Sequence, residues 1–311
     1  MYQLLKNTEN NKYGLTNDKG EIFVACIYDC IDVFEEGLAS VIRNNKWGFL
    51  HTTGIEVIPC IYADATDFAD GLAAVKIGDK WGFIDMSGKE ITAFVYDTIF
   101  ALLGGLYPFE QNNKYGFMDK NGKEIIPCIY DEINDIKEGF IRITQHNKHG
   151  YIAKGAEIFV PCIYDYVYTF VEGMAKVQID LRYGFIDTTG KEVIPCIYTI
   201  AQDFSEGLSA VNKNDKYGFI DKNENEIIPC IHQYVDSFSE GMAQMARENK
   251  YGFMDKNGNE IIPCKYKNAG TFSEGLVRVK LDNKWGFVDK NDTVVIPIIY
   301  DCVGIFSEGL A

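Results

Sequence analysis

Short apolar runs of five to seven residues alternate with small clusters of Asn, Asp, Gly, Thr and Lys along almost the whole chain. No stretch keeps its apolar residues on one helical face for three turns, and Gly and Pro would interrupt a helix if it did. Around Trp47, the run Leu38 to Arg43 is followed by the polar turn Asn44-Asn45, the run Lys46 to Leu50, a second turn at Thr52-Thr53-Gly54, and the run Glu56 to Tyr62. Elsewhere the second turn reads Asp119-Lys120-Asn121-Gly122-Lys123, and Asn-Gly between apolar runs signals a hairpin because both residues tolerate positive φ. The pattern predicts three short antiparallel strands in a meander. The third carries Pro59, with equivalents at Pro127, Pro161, Pro195, Pro229, Pro263 and Pro297. Proline cannot donate a ladder bond, so this strand is expected to lie at a sheet edge or end near the proline. The segment Asp203-Phe204-Ser205-Glu206-Gly207 is expected to be an ordered loop or a single helical turn.

The same unit recurs. An aromatic-Gly pair begins at residues 13, 47, 81, 115, 183, 217, 251 and 285, and His149-Gly150 fills the gap in phase. A second landmark glycine follows each aromatic by 24 residues, from Gly37 through Gly139 to Gly309. Nine copies of 34 residues account for 306 of the 311, without insertion or deletion. Strict spacing is what strands demand, since one extra residue turns every following side chain to the wrong face. A 34-residue period is shared with helical tetratricopeptide arrays, but these copies are too rich in Val, Ile, Phe, Tyr and turn residues to be helical. The expected buried set per copy is the aromatic, the Phe two residues later, the Ile-Ile pair, the Tyr after Cys-Ile, and the Phe and Leu flanking Ser-Glu-Gly. So few large side chains cannot make a core alone, so neighbouring copies must stack. The fold class is therefore all-β: residues 1–311 form a single tandem array of nine three-stranded antiparallel units, read as an open β-solenoid or superhelix, with a closed propeller-like ring as the alternative. Both ends, Met1-Tyr2-Gln3-Leu4-Leu5 and Ser307-Glu308-Gly309-Leu310-Ala311, fit the phase of the array.

Composition narrows the functional classes. The chain is 47% hydrophobic and 14% aromatic, as a packed protein should be. Its net charge of −15 is spread evenly, weighing against nucleic acid and anionic membranes as partners. Eight of the nine copies carry Asp or Glu just before the second landmark glycine, which is expected to form a solvated acidic face. Seven of the nine cysteines (Cys26, Cys60, Cys128, Cys162, Cys196, Cys230 and Cys264) share one register, and Cys30 and Cys302 share another. One register means one environment, so the seven are expected to be a ladder of small buried side chains rather than a disulfide framework. Phe94 and Ile298 stand in that register in the third and ninth copies, as an apolar site would allow. A reduced, cytoplasmic setting is expected, together with no secretory apolar core at the start and no run approaching 18 apolar residues.

No residue set suggests chemistry. His149 and His232 replace the aromatic and the Tyr of their copies and read as structural, and His51 and His146 have no metal-site spacing. Asp119-Lys120-Asn121-Gly122 and Asp255-Lys256-Asn257-Gly258 resemble the start of a calcium loop but lack its later acidic ligand. No catalytic, cofactor-binding or metal residues are therefore assigned, and the chain is expected not to be an enzyme. A strict repeat offers the same residues nine times, so a site should appear as a break in the pattern. The clearest break is the third copy, where Ile91-Thr92-Ala93-Phe94 replaces Ile-Ile-Pro-Cys and Ala101-Leu102-Leu103-Gly104-Gly105 replaces the Phe-Ser-Glu-Gly segment. Drift is the favoured explanation and a contact patch the other.

The segment NDKYGFIDKNENEIIPCIHQYVDSFSEGMAQM, residues 214–245, and its siblings closely resemble the bacterial WG-repeat family, whose hallmark is Lys-(Trp/Tyr)-Gly-(Phe/Tyr)-Ile-Asp, a glycine, Val-Ile-Pro, Tyr-Asp and Phe-Ser-Glu-Gly-Leu-Ala. The likeness covers essentially the whole chain and departs from the pattern at Gly14-Leu15-Thr16, in the third copy and at His149. It implies a β-repeat array and supplies no catalytic residues. The leading expectation is a scaffold that binds a protein or peptide, with exposed Tyr as anchors. The alternative is a glycan-binding module, for which Trp47, Trp81 and Trp285 would need open faces. Because Trp, Tyr and His all serve in its register, the aromatic-Gly pair is expected to be a packing post joining each unit to its neighbour. Function is then expected in the polar positions that vary between copies.

Overall fold

The computed structural model describes residues 2–103, 105–135, 140–153 and 158–306. The landmark glycines 139 and 309, Gly104 of the third-copy break and the final 307–311 segment lie outside the described residues. By its contacts the chain divides into two compact units, one of residues 1–135, 143–145 and 153–157, the other of residues 136–142, 146–152 and 158–311. Both are built of strand and turn, and no described helix is long and apolar enough to cross a membrane.

The second sheet of the first unit shows the plan. Its strands Cys30–Ile31, Leu38–Arg43, Lys46–His51 and Glu56–Tyr62 pair antiparallel in chain order. The second unit repeats it over residues 166–198, 200–232, 234–266 and 268–300. The three predicted strands are present, and a fourth, as short as two residues, is added at the front. Within each unit the sheets form an open run in which substantial strand contacts join neighbours along the chain, and no described sheet closes into a barrel.

Turn chemistry explains the spacing. Asn44 and Asn45 both take positive φ (55° and 59°), the two-residue geometry that suits strand twist. The segment after Phe204, expected to be an ordered loop or a single helical turn, is another tight hairpin: Ser205 and Leu208 exchange backbone hydrogen bonds at 2.9 and 3.2 Å, with Glu206 and Gly207 at φ 53° and 86°. At the Asp119 turn only Gly122 is left-handed, at φ 74°. Asp119 Oδ1 holds that loop by accepting the amides of Asn121 and Lys123 at 2.8 and 2.9 Å. The first hairpin departs from the strict spacing. It pairs Lys6 with Tyr13, whereas the next sheet pairs Ile42 with Trp47, so its connection is two residues longer and the segment ahead of Tyr13 is out of phase.

The proline strand is an edge strand and is also bulged. Trp47 pairs with Tyr62 and Phe49 with Ile58, so Pro59-Cys60-Ile61 must arch opposite the single residue Gly48. A Cβ on Gly48 would lie 2.6 Å from Ile58 O, 2.7 Å from Cys60 N and 2.8 Å from the Pro59 carbonyl carbon. The glycine of the aromatic-Gly pair is therefore needed inside its own sheet, where the bulge crosses it, rather than for holding copies together. In the third copy, which lacks Pro-Cys, the ring of Phe94 covers Gly82 and the last strand shrinks to the bridges Trp81↔Tyr96 and Ile84↔Glu90.

What joins copies is the core. Leu38, Phe49, Ile58 and Tyr62 of one sheet pack with Phe68, Ala73, Val75 and Ile84 of the next, and Met174, Phe185, Ile194 and Tyr198 meet Ala201, Phe204, Val211 and Ile220 in the same way. Each fully buried Phe contributes on the order of 1.5–3 kcal/mol. Two members of the expected core differ. Alternation turns the first residue of each Ile-Ile pair outward, so Ile227 is exposed while Ile228 is buried. The repeat aromatics are only half-buried, because they sit at the hairpin end of their strand.

Candidate binding face

Most repeated polar residues are occupied in holding the array. The acid before the landmark glycine was expected on a solvated face, but at Glu36, Glu172, Glu206 and Glu240 its carboxylate clamps the same turn of the next copy. Glu36 accepts the amides of Asp70 and Gly71 at 3.0 and 2.9 Å, and Glu172 those of Glu206 and Gly207 at 2.7 and 2.9 Å. Glu206 continues the ladder to Gly241, and Glu240 to Gly275. A lysine from further along closes three of these clamps: Lys222, Lys256 and Lys290 donate to the carbonyls of Glu172, Glu206 and Glu240 at 2.6, 3.0 and 2.7 Å. Burial is the largest single influence on the Glu172 carboxyl and opposes its ionisation. The amides of Gly207 and Glu206 together with Lys222 outweigh it and hold the group below its ordinary range. We expect Glu206→Ala to cost about 1–2 kcal/mol, the usual result of stranding a bonded donor, and Glu206→Gln less. Urea midpoints of the two variants test this, and equal midpoints with the wild type would remove the clamp from the account.

The lysine ahead of the repeat aromatic has a similar duty. Lys12, Lys80, Lys114, Lys148 and Lys284 bond the Asp that follows the strand-end Tyr, namely Asp29, Asp97, Asp131, Asp165 and Asp301. Asp29 Oδ2 also accepts the amide of Asn44 at 2.9 Å.

The cysteine register is half-buried rather than buried. The bulge lifts it to the rim of the core, where Cys60 Sγ points to Val41 O and Cys196 Sγ to Val177 O. Phe94 and Ile298 take the same place against the core. Burial, with Glu56 and Glu192 adding to it, pushes the Cys60 and Cys196 thiols up to about 11, so they are not thiolates at neutral pH. Among the histidines, His51 Nδ1 lies 2.8 Å from Thr53 Oγ1 in its turn, and the His149 ring meets Tyr166 edge-on at 5.3 Å. His232 stands opposite Tyr217, with its pKa lowered by burial and by Arg247. Asp255 Oδ1, like that of Asp119, is taken by turn amides, at 2.9 and 2.8 Å. No three His, Cys, Asp or Glu converge as a metal site among the described residues.

Two registers escape this fixed use, and they lie side by side. One, on or beside the first strand, holds Asp32, Thr66, Phe100, Asn134, Tyr168, Gln202, Asp236, Gly270 and Gly304. The other, near the start of the second strand, holds Ser40, Ala74, Pro108, Arg142, Lys176, Ala210, Gln244 and Arg278. In five sheets the first residue donates its amide to the carbonyl of the second, as Asp32 does to Ser40 at 3.0 Å and Gly270 to Arg278 at 2.9 Å. Three clefts stand on these pairs. In the first unit, one of about 190 Å³ includes Thr66, Ala74 and Phe100, and one of about 620 Å³ includes Phe100, Leu102, Pro108, Tyr115 and Asn134. In the second, one of about 310 Å³ includes Asp236, Gln244, Gly270 and Arg278. The third-copy break thus forms an apolar cleft, with Phe100 40% and Leu102 41% exposed. Comparing copies position by position would have exposed both registers in the sequence, but not that they adjoin.

The tryptophans are half-buried. Trp47 packs against the core, Lys76 lies 5.7 Å over Trp81, and Arg278 and Lys280 each lie 5.6 Å over Trp285.

A run of β-sheets whose fixed positions hold the array and whose variable positions line clefts defines a tandem β-repeat scaffold. The WG containing repeat matches residues 13–47, 47–81, 81–115, 115–148, 150–180, 183–217, 217–251, 251–285 and 285–311, and the chain belongs to that family. The fourth and fifth matches leave out His149, the aberrant aromatic position. No curated protein matches the chain. Among solved structures, a eukaryotic initiation factor is similar at 11% identity and TM-score 0.37, covering 95% of both chains. Kluyveromyces lactis Hsv2p is similar at 11% identity and TM-score 0.32, over 72% of this chain and 92% of its own. The extracellular domain of the putative one component system BT4673 from B. thetaiotaomicron is similar at 11% and 0.31, over 94% of this chain and 53% of its own. These likenesses are too slight to carry an argument about function.

Proposed function

We propose that the chain is a non-enzymatic scaffold that binds a protein or peptide through the face formed by its two variable registers. The observation that supports this is the coincidence of clefts with variation: many repeated polar residues are occupied within the array, while three clefts are lined by residues of the two variable registers. The apolar cleft at Phe100, Leu102 and Pro108 suits apolar side chains of a peptide, and partly exposed aromatic and aliphatic groups at a concave site are the usual anchors. The glycan alternative requires open Trp faces, and cations lie over Trp81 and Trp285.

Selection from a random peptide library fused through the peptides' C-termini, beside a glycan array, tests the reading. Selected peptides are expected to lose at least about tenfold in affinity, roughly 1.4 kcal/mol, for the Phe100→Asp/Leu102→Asp variant. Sugar binding with no selected peptide would replace this function with the glycan one.

A further inference from the structure

The cleft of the second unit differs from the apolar one in carrying an arginine, Arg278. Of the chain's five arginines, Arg43 and Arg247 pair with Glu56 and Glu260, Arg142 donates to Tyr166 Oη, and Arg182 reaches Ile197 O. The Arg278 guanidinium makes no hydrogen bond or ion pair with a described residue, although the residue is half-buried and lines the cleft of about 310 Å³. The side chain is nevertheless positioned. Its guanidinium carbon lies 5.6 Å from the centre of the Trp285 ring. On its other flank is Gly270, where a Cβ would come within 2.8 Å of Arg278 Cγ. Other copies place Thr66, Phe100, Tyr168 or Gln202 in the Gly270 register. The cation three copies earlier in the Arg278 register, Lys176, is neutralised by Asp203 at 3.1 Å. A placed guanidinium whose forked donors bond no described residue has the geometry that recognises a planar oxyanion in two-point fashion.

The rest of the lining selects among anions. Gln244 and Thr271 add neutral polar groups, and Phe272 and Phe306 add apolar walls. Asp236 shares the cleft without bridging Arg278, its Oδ1 bonded by Gln202 Nε2 at 3.1 Å and the Ser237 amide at 2.8 Å. Its negative charge works against a dianion such as phosphate and tolerates a single charge beside the guanidinium. The volume lies at the small end of the range of about 300–1,000 Å³ usual for small-molecule sites. We infer that this cleft binds a monocarboxylate carried on an apolar group, with Arg278 taking the carboxylate and the phenylalanine walls the substituent. The carboxylate has two possible sources, a peptide C-terminus and a free N-acylated acid, and only the first rests on the scaffold function proposed above.

Calorimetric titration of the full chain with N-acetyl-L-phenylalanine and with its amide tests this. The acid is expected to bind saturably and at least about tenfold more tightly than the amide. Arg278→Met should abolish the difference, Arg278→Lys should retain part of it, and Arg247→Met should leave it unchanged. Equal binding of acid and amide, wild-type binding by a folded Arg278→Met, or no saturation at roughly 10 mM ligand would each overturn the inference. Pentaalanyl-phenylalanine as acid and amide then identifies the source: discrimination points to a peptide end, and its absence beside tight N-acetyl acid binding points to a free acid. Library peptides fused through their C-termini cannot present this group, so a failure here and a failure of the peptide selection are separate results.

Discussion

Gly48→Ala is expected to destabilise the first unit by about 3 kcal/mol or more, at the upper end of what overpacking costs. The added methyl would lie within 2.6–2.8 Å of three backbone atoms of the Ile58-Pro59-Cys60 bulge. Backbone pinned by a ladder on one side and proline within it cannot turn away as a side chain does, so the edge strand must shift or detach. Gly37 offers the contrast within the same copy. It has φ 87° and nothing within 4 Å of its ideal Cβ, so alanine there meets only the left-handed backbone penalty of about 1–2 kcal/mol. The two landmark glycines look equivalent as sequence and differ in mechanism. Urea midpoints should rank wild type above Gly37→Ala above Gly48→Ala, and the reverse order for the two variants would dismiss the bulge as the reason for the aromatic-Gly pair. A compensating change is available: the third copy replaces Pro-Cys with Ala93-Phe94 and leaves Gly82 with a side-chain neighbour at 3.0 Å. Gly82→Ala should therefore be milder than Gly48→Ala.

This contrast also marks how far the sequence could be read. Three strands, the proline edge, the Asn44-Asn45 turn and the buried Phe register were legible because each is a local pattern with a fixed period. The two-residue first strand carries no period and was invisible. The acid ladder failed for another reason: Glu36 and Gly71 are both in plain view, but nothing in a single copy says that successive turns stack closely enough for one carboxylate to reach the next pair of amides. The cysteine register was placed correctly in kind and too deep, since the bulge that lifts Cys60 depends on pairing across Gly48. The third-copy break was visible and read mainly as drift, while the cleft it makes with Tyr115 and Asn134 needed the fold to bring those residues together. The expectation that function lies where copies vary could be stated from the sequence. The adjacency of the two variable registers could not, because seven residues lie between Asp32 and Ser40 and only the hairpin there makes them neighbours.

The second large effect is expected with acid. Asp29 and Asp165 are held below the ordinary carboxylate range first by bonds from Lys12 and Lys148, then by the amides of Asn44 and Asp180. Asp119 and Asp289 are lowered first by the amides of Lys123 and Thr293, and Glu172 by the clamp that overcomes its burial. All of these shifts have one sign. A carboxyl whose folded pKa lies below its unfolded value, about 3.9 for Asp and 4.3 for Glu, stabilises the fold fully above that unfolded value and loses its contribution as pH falls through the folded one. Self-repulsion acts in the opposite sense at first, because the net charge of −15 at pH 7 shrinks towards the pI near 4.7. Between pH 7 and about 5 this relief is opposed by His232, whose lowered pKa lets the unfolded chain bind a proton first, so stability should change little. Below about pH 4 the chain is net positive, the repulsion returns, and protons bind preferentially to the unfolded state, so the urea midpoint should fall steeply. Salt separates the two kinds of carboxylate. The exposed Lys–Asp pairs should be screened by 1 M salt, where the Debye length is about 3 Å, whereas bonds from backbone amides to Asp119 and Asp289 should persist. High salt should therefore leave most of the acid transition in place. A midpoint that keeps rising to pH 3, or an acid transition abolished by salt, would show that the repeated turn and clamp carboxylates are decoration on the array rather than part of what closes its turns and joins its copies.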